Sequence, residues 1–130
     1  MVEIKFHQER PIEASYIVQL YKHGGWWPNR QVQDIAKVLN LGLAVGAWDD
    51  ERLVGFARAV SDGIFRAYIE DVVVHEDYRR SGIGQKLLSK LMNELSDIET
   101  VSLFCEPSLV PLYEKTHFKK SNSQVVMHRK

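Results

Sequence analysis

The spacing of apolar positions changes along the chain, and each change marks an element. VEIKF, Val2 to Phe6, alternates apolar and polar residues and predicts an edge strand, ended by the charged run to Pro11. Pro11 suits a helix start, and Ile12, Tyr16, Ile17, Leu20 and Tyr21 share one helical face before Gly24 and Gly25. After the loop WWPNR, Val32, Ile35, Ala36 and Leu39 repeat the helical spacing, with Asn40 or Gly42 to close it. From Leu43 the period shortens. LAVGAW, RLVGFARAVS and IFRAYIEDVVV predict an antiparallel meander, divided by the acidic turn Asp49 to Glu51 and the hairpin signal Asp62-Gly63. The unbroken run Val72, Val73, Val74 predicts a strand end covered on both faces. The period lengthens again from Gly82 to about Leu95, where Ile83, Leu87, Leu88, Leu91, Met92 and Leu95 make one stripe that packs on a sheet. TVSLFC, Thr100 to Cys105, is a further strand, a short helix spans about Leu109 to Lys115, and SQVVMHR at the end alternates enough for a last strand.

Strand, helix and strand across Val72 to Cys105 imply a right-handed parallel crossover. The expected fold is therefore an α/β layered domain: a mixed, mostly antiparallel sheet with one parallel pair, flanked by helices. The 130 residues suit a single domain spanning 1–130. Seventeen basic residues balance seventeen acidic ones, so no global field points to nucleic acid or to a membrane surface, and a charged ligand needs a local site. Cys105 is the single cysteine, which excludes an internal disulfide and fits a reducing, cytoplasmic setting. No run approaches the roughly 20 apolar residues of a membrane helix, and MVEIKFHQERP lacks the apolar stretch of a signal peptide. The five histidines lack metal-ligand spacing, and no metal is expected.

The chemistry concentrates at the joint VVVHEDYRRSGIGQKLL, Val72 to Leu88. A helix that starts just after a strand presents unpaired N–H groups and the positive end of its dipole, a combination that binds anions. Gly82 and Gly84 let a ligand approach the backbone, while Arg79, Arg80 and Lys86 can add charge at the rim. Close packing of helix on sheet explains the two glycines equally well. The pattern is neither a Walker loop nor the dinucleotide fingerprint, because Gln85 and Leu87 stand where further glycine is needed.

VVVHEDYRRSGIGQKLL resembles the central acyl-CoA-binding motif of the GNAT N-acetyltransferases, with Arg79, Gly82 and Gly84 matching [QR]-x-x-G-x-[GA]. PLYEKTHF, Pro111 to Phe118, is similar to that family's later tyrosine-bearing motif, at about the family's separation. His117 stands where that motif has glycine, and Glu106 falls near a position where many members carry a cofactor-contacting asparagine. The resemblance implies the GNAT fold, its sheet splayed at the parallel pair, and acetyl-CoA as cosubstrate. It puts the diphosphate on the N–H groups of Arg80, Ser81, Gly82, Ile83 and Gly84, with Arg79 and Gln85 as further cofactor contacts, and the pantetheine arm along Val72, Val73 and Val74 as an added strand.

Transfer to an amine needs a neutral nucleophile, a stabilised oxyanion and a protonated leaving thiolate. The resemblance implies Tyr113 as proton donor and cofactor contact; the bland alternative is an aromatic that only packs. Glu70 or Asp71 can take the proton of the ammonium, or can pair with Arg58 or Arg66 for structure, and as strand neighbours they are expected on opposite faces. Trp26, Trp27, Arg58 and Tyr68 are the acceptor-binding candidates, the tryptophans serving equally as interface. The implied activity is N-acetylation of a primary amine on a small molecule or peptide, in a chain that can form a homodimer. An inactive CoA-binding module is the alternative.

Overall fold

The computed structural model describes residues 1–25 and 27–129. Five strands form one sheet in the order β1-β2-β3-β4-β5: β1 (Val2–Phe6), β2 (Leu43–Asp49), β3 (Arg52–Ser61), β4 (Arg66–Val74) and β5 (Thr100–Leu103). The first four run antiparallel to their neighbours, and β5 lies parallel to β4. The β3–β4 turn follows the Asp62-Gly63 signal, since the Asp62 carboxylate accepts the N–H groups of Ile64, Phe65 and Arg66 at 2.8–3.1 Å. No helix among the described residues is long and apolar enough to cross a membrane.

Helices cover both faces of the sheet. On one side α1 (Ala14–Gly24) and α2 (Val32–Val38) place Ile17, Leu20, Tyr21 and Ile35 against Ala44, Trp48, Phe56 and Val73. On the other, α3 (Ile83–Glu94) lays its stripe of Ile83, Leu87, Leu88 and Leu91 on Val45, Val54, Ala57 and Ile69. Complete burial of a leucine such as Leu87 stabilises the fold by roughly 1.5–3 kcal/mol.

A bulge in β4 decides which of its side chains face each helix layer. Phe56 pairs with Val73 but Arg58 pairs with Glu70, so two steps along β3 correspond to three along β4. Before the extra residue, Ala67 and Ile69 face α3; after it, Val73 faces α1, while Val72 and Val74 pack on the α3 side. Asp71 absorbs the change with φ 59°, in the left-handed region that a non-glycine residue seldom adopts. The expectation that Glu70 and Asp71 face opposite ways is therefore corrected: the inserted residue turns both toward α1.

The expected last strand also differs. Ser123 to Arg129 carries no strand, and the hairpin-like end is absent among the described residues. Ser121 explains the diversion, since its Oγ accepts the N–H groups of Ser123 and Gln124 at 3.3 and 3.0 Å and curls the chain. The tail instead arches over a groove of about 800 Å³ along β5 and α4 (Val110–Glu114), lined by Leu103, Cys105, Tyr113 and Phe118 among others.

Candidate active site

Pairing between β4 and β5 runs from Arg66↔Thr100 to Ile69↔Leu103 and stops there. Beyond this point Glu70 to Val74 keep β3 on one flank but no strand on the other, among the described residues. The splay expected at the parallel pair is present, with an unpaired backbone flank that an extended amide-bearing chain can satisfy.

The cradle stands at the far end of this flank. His75 caps a 3-10 turn, Glu76–Tyr78, by accepting the Asp77 N–H at 3.1 Å, and the chain then turns sharply into α3. Arg80 and Gly82 both take positive φ, 63° and 84°. Among the described residues the N–H groups of Arg80 to Gln85 find no acceptor; the first bond of α3 is Lys86 N–H to the Gly82 carbonyl at 3.1 Å. A Cβ built on Gly82 would meet no protein atom within 4 Å, and one on Gly84 would touch only Val74 Cγ2 at 3.8 Å. The glycines thus face open space rather than a tight helix-sheet contact, and an anion fits the corner. Arg80, Ser81 and Lys86 are exposed there. Two expected contacts are otherwise engaged: the Arg79 guanidinium donates to the Val74 carbonyl at 3.3 Å, and the Gln85 amide donates to the Leu112 carbonyl at 3.0 Å. Gln85 therefore ties α3 to α4 with its side chain and offers a ligand only its backbone.

Tyr113 lies on α4, half-buried against Phe118 at 6.3 Å between ring centres. Burial raises its pKa above that of an ordinary phenol, with the nearby Cys105 adding to the effect. His117, in the place of the motif's glycine, adopts φ 73°, and the Phe118 N–H behind it returns to the Tyr113 carbonyl at 3.3 Å. The substitution keeps the left-handed helix end that glycine would give.

On the α1 side of the fork lies a network of charges. Asp71 is 6% exposed and accepts four bonds: Tyr21 Oη at 3.0 Å, Trp27 Nε1 at 2.9 Å, Arg30 Nη1 at 2.9 Å and Arg58 Nε at 3.0 Å. Glu70 accepts from Arg30 Nη2 at 3.0 Å and Arg58 Nη2 at 2.8 Å. Arg30 also lies over the Trp27 ring at 4.1 Å. Burial, reinforced by Asp71, raises the pKa of Tyr21, so this hydroxyl remains a donor. Tyr68 meets Phe104 at 5.0 Å between ring centres, and its pKa is raised by burial and then by Glu70. Arg66 is not part of this cluster; it reaches Glu99 at 4.0 Å on the surface. Trp26 lies outside the described residues. Arg30 and Tyr21 escape sequence reasoning, because nothing in the loop WWPNR or in the α1 stripe signals that their polar ends meet a carboxylate from β4.

A strand fork, a corner of unpaired N–H groups at a helix start and a tyrosine helix behind them stand together, and the family profile described as "Acetyltransferase (GNAT) family" matches residues 9–118. The chain belongs to the GNAT acetyltransferase family. A Porphyra purpurea protein described as an uncharacterized N-acetyltransferase ycf52 is 45% identical over 124 residues, covering 91% of this GNAT chain and 71% of the relative. A ycf52-like relative from Prochlorococcus marinus is 35% identical over 116 residues, covering 84% of this chain and 64% of the relative. The chain thus spans about two thirds of the length of these curated relatives. A solved GNAT family acetyltransferase from Streptococcus pneumoniae shares the fold, with a TM-score of 0.82 at 22% identity and 100% of each chain covered.

Proposed function

We propose that this GNAT domain transfers an acetyl group from acetyl-CoA to a primary amine of a small molecule or peptide. The observation that carries the reading is the open corner at Gly82, where free N–H groups and empty space stand at the end of an unpaired strand flank. Acetyl-CoA supplies the acyl group as a thioester. The N–H groups of Arg80 to Gly84 bind its diphosphate, and the flank of Val72, Val73 and Val74, which carries no second strand among the described residues and lends its Val74 carbonyl to Arg79, aligns its amide-bearing arm. A fold neighbour from Clostridium acetobutylicum, 17% identical with a TM-score of 0.75, was crystallised with acetyl-CoA, which agrees with this use of the fold.

Glu70 is the proton acceptor for the acceptor's ammonium. Its side chain is 18% exposed and two guanidiniums hold it at the fork, whereas Asp71 is closed off by four donors. Tyr113, like any phenol, holds its proton at neutral pH, burial favours that form further, and it delivers the proton to the departing thiolate. Tyr68, Phe104, Trp27 and Arg58 line the approach and select the acceptor. Relatives named for histone and serotonin acetylation, in Glycine max and rice, differ so widely in acceptor that kinship does not choose one. The rice relative is named chloroplastic, so kinship does not fix the compartment either. A homodimer belongs to the same proposal, supported by the β5 edge that no strand covers among the described residues.

The test is release of CoA thiol over a library of primary amines. Turnover with at least one amine is expected. Tight binding of acetyl-CoA without thiol release from any amine would favour an inactive CoA-binding module.

A further inference from the structure

We propose that Asp71 is a positioning residue: from its buried seat on the β4 bulge it fixes Arg30 and Arg58, and these two guanidiniums hold Glu70 at the mouth of the strand fork. The inference rests on the acetyl-transfer reading with Glu70 as the base.

A carboxylate has about four lone-pair directions. Asp71 takes Tyr21, Arg30 and Arg58 on Oδ2 and Trp27 on Oδ1, and with its side chain only 1% exposed it is closed to an incoming ammonium. Glu70 is built the other way. It accepts one bond per oxygen, both from the arginines that Asp71 anchors, and its side chain is 18% exposed against 1% for Asp71. Each arginine bridges the two carboxylates: Arg58 with Nε on Asp71 and Nη2 on Glu70, Arg30 with Nη1 on Asp71 and Nη2 on Glu70. A planar guanidinium gripped at one edge presents its other edge at a fixed angle. The rotamer of Glu70 is therefore set by a residue that does not itself face the acceptor.

Stability alone does not account for this arrangement. Buried ion pairs recover their desolvation cost poorly, and an apolar cluster of equal volume serves a core as well or better. The left-handed backbone at Asp71 adds strain, of a kind that persists mainly where a site requires it. Three separate elements converge on this carboxylate: α1 through Tyr21, the α1–α2 loop through Trp27 and Arg30, and β3 through Arg58. The acceptor side of the cleft and the base are thereby tied to one anchor.

In the step concerned, Glu70 takes one proton from the ammonium, the freed nitrogen lone pair forms the C–N bond, the C–S bond breaks as Tyr113 protonates the sulfur, and the resulting phenolate takes the second proton that the nitrogen sheds on becoming an amide. Asp71 exchanges no proton. The test is a double-mutant cycle on the full chain with Glu70→Gln, Asp71→Asn and the pair, read as kcat with the best amine from the panel. Each single change is expected to lower kcat roughly 10–100-fold while the KM for acetyl-CoA stays within about threefold. The double variant is expected within about threefold of the weaker single, because Asp71 acts through Glu70. Losses that multiply, or a Glu70→Gln enzyme as fast as wild type, would overturn the proposal. If Asp71→Asn does not fold, Arg30→Met replaces it in the cycle, since Arg30 sits in a loop with its side chain 30% exposed. Wild type that binds acetyl-CoA yet acetylates no amine would sink the transfer reading and this inference together; multiplying losses in an active enzyme would sink the positioning role alone.

Discussion

Tyr113 and His117 sit four residues apart in one motif, and their environments make opposite demands on side chain and backbone. In the proposed reaction Tyr113 must keep a proton until a thiolate departs, and partial burial against Phe118 favours the neutral phenol. Tyr113→Phe keeps the packing and removes the proton. It is expected to lower kcat by roughly 100-fold with little change in acetyl-CoA affinity, and steady-state kinetics with a verified amine would check it; unchanged turnover would remove the assignment. His117 holds φ 73°, a conformation that costs a non-glycine residue about 1 kcal/mol. His117→Gly is therefore expected to raise unfolding stability by up to about 1 kcal/mol in denaturant titration, offset in part by the greater freedom of glycine in the unfolded chain.

At the scale of elements, the turn between β4 and α3 joins the flank proposed for the pantetheine arm to the corner proposed for the diphosphate. Gly82→Val would put a β-branched side chain at φ 84° and into the space left for the diphosphate. Loss of acetyl-CoA binding by calorimetry is expected in a variant that still folds, whereas wild-type affinity would show that the corner is not the binding site. His75 enters the same turn. Its ring is buried, with Arg52 at 2.9 Å from Nε2 and the His23 ring 4.2 Å away between centres. Burial first, then Arg52 and His23, push its pKa below the ordinary 6.5, against the opposite pull of Asp77 and Glu76. Because the folded pKa is the lower one, the unfolded chain takes up this proton first as pH falls. The contribution of neutral His75 is thus present above about pH 6.5 and lost on acidification. Melting curves from about pH 7 to about pH 5.5 should fall more steeply for wild type than for His75→Gln; parallel curves would contradict this.

Across the whole molecule, both segments proposed to bind acetyl-CoA hang on a sheet buried from two sides, so under that proposal ligand and fold stabilise each other. Acetyl-CoA at about 100 times its Kd should add about 2.7 kcal/mol, a rise in Tm of roughly 8 °C for a domain of this length, while ATP should add nothing comparable. The order of elements was legible because each buries a continuous face: the stripe Ile83, Leu87, Leu88, Leu91 could form no surface other than one covering a sheet. The open glycine turn was legible for a related reason, since Gly82 and Gly84 shape the backbone of their own turn. The final strand was not, because the Ser121 hydroxyl competes locally for the backbone where alternation is weak.

What the sequence by itself determined is whatever depends on neighbours along the chain: periodicity, turn chemistry, the glycine corner and the tyrosine motif. What only the tertiary structure decided is the acceptor side. One extra residue in β4 reverses the alternation, brings Glu70 and Asp71 to the same face, and sets them against Arg30 and Tyr21, some 40 and 50 positions away. A bulge is a property of two strands in register, and a charge network is a property of elements packed together, so neither leaves a periodic trace in a single strand.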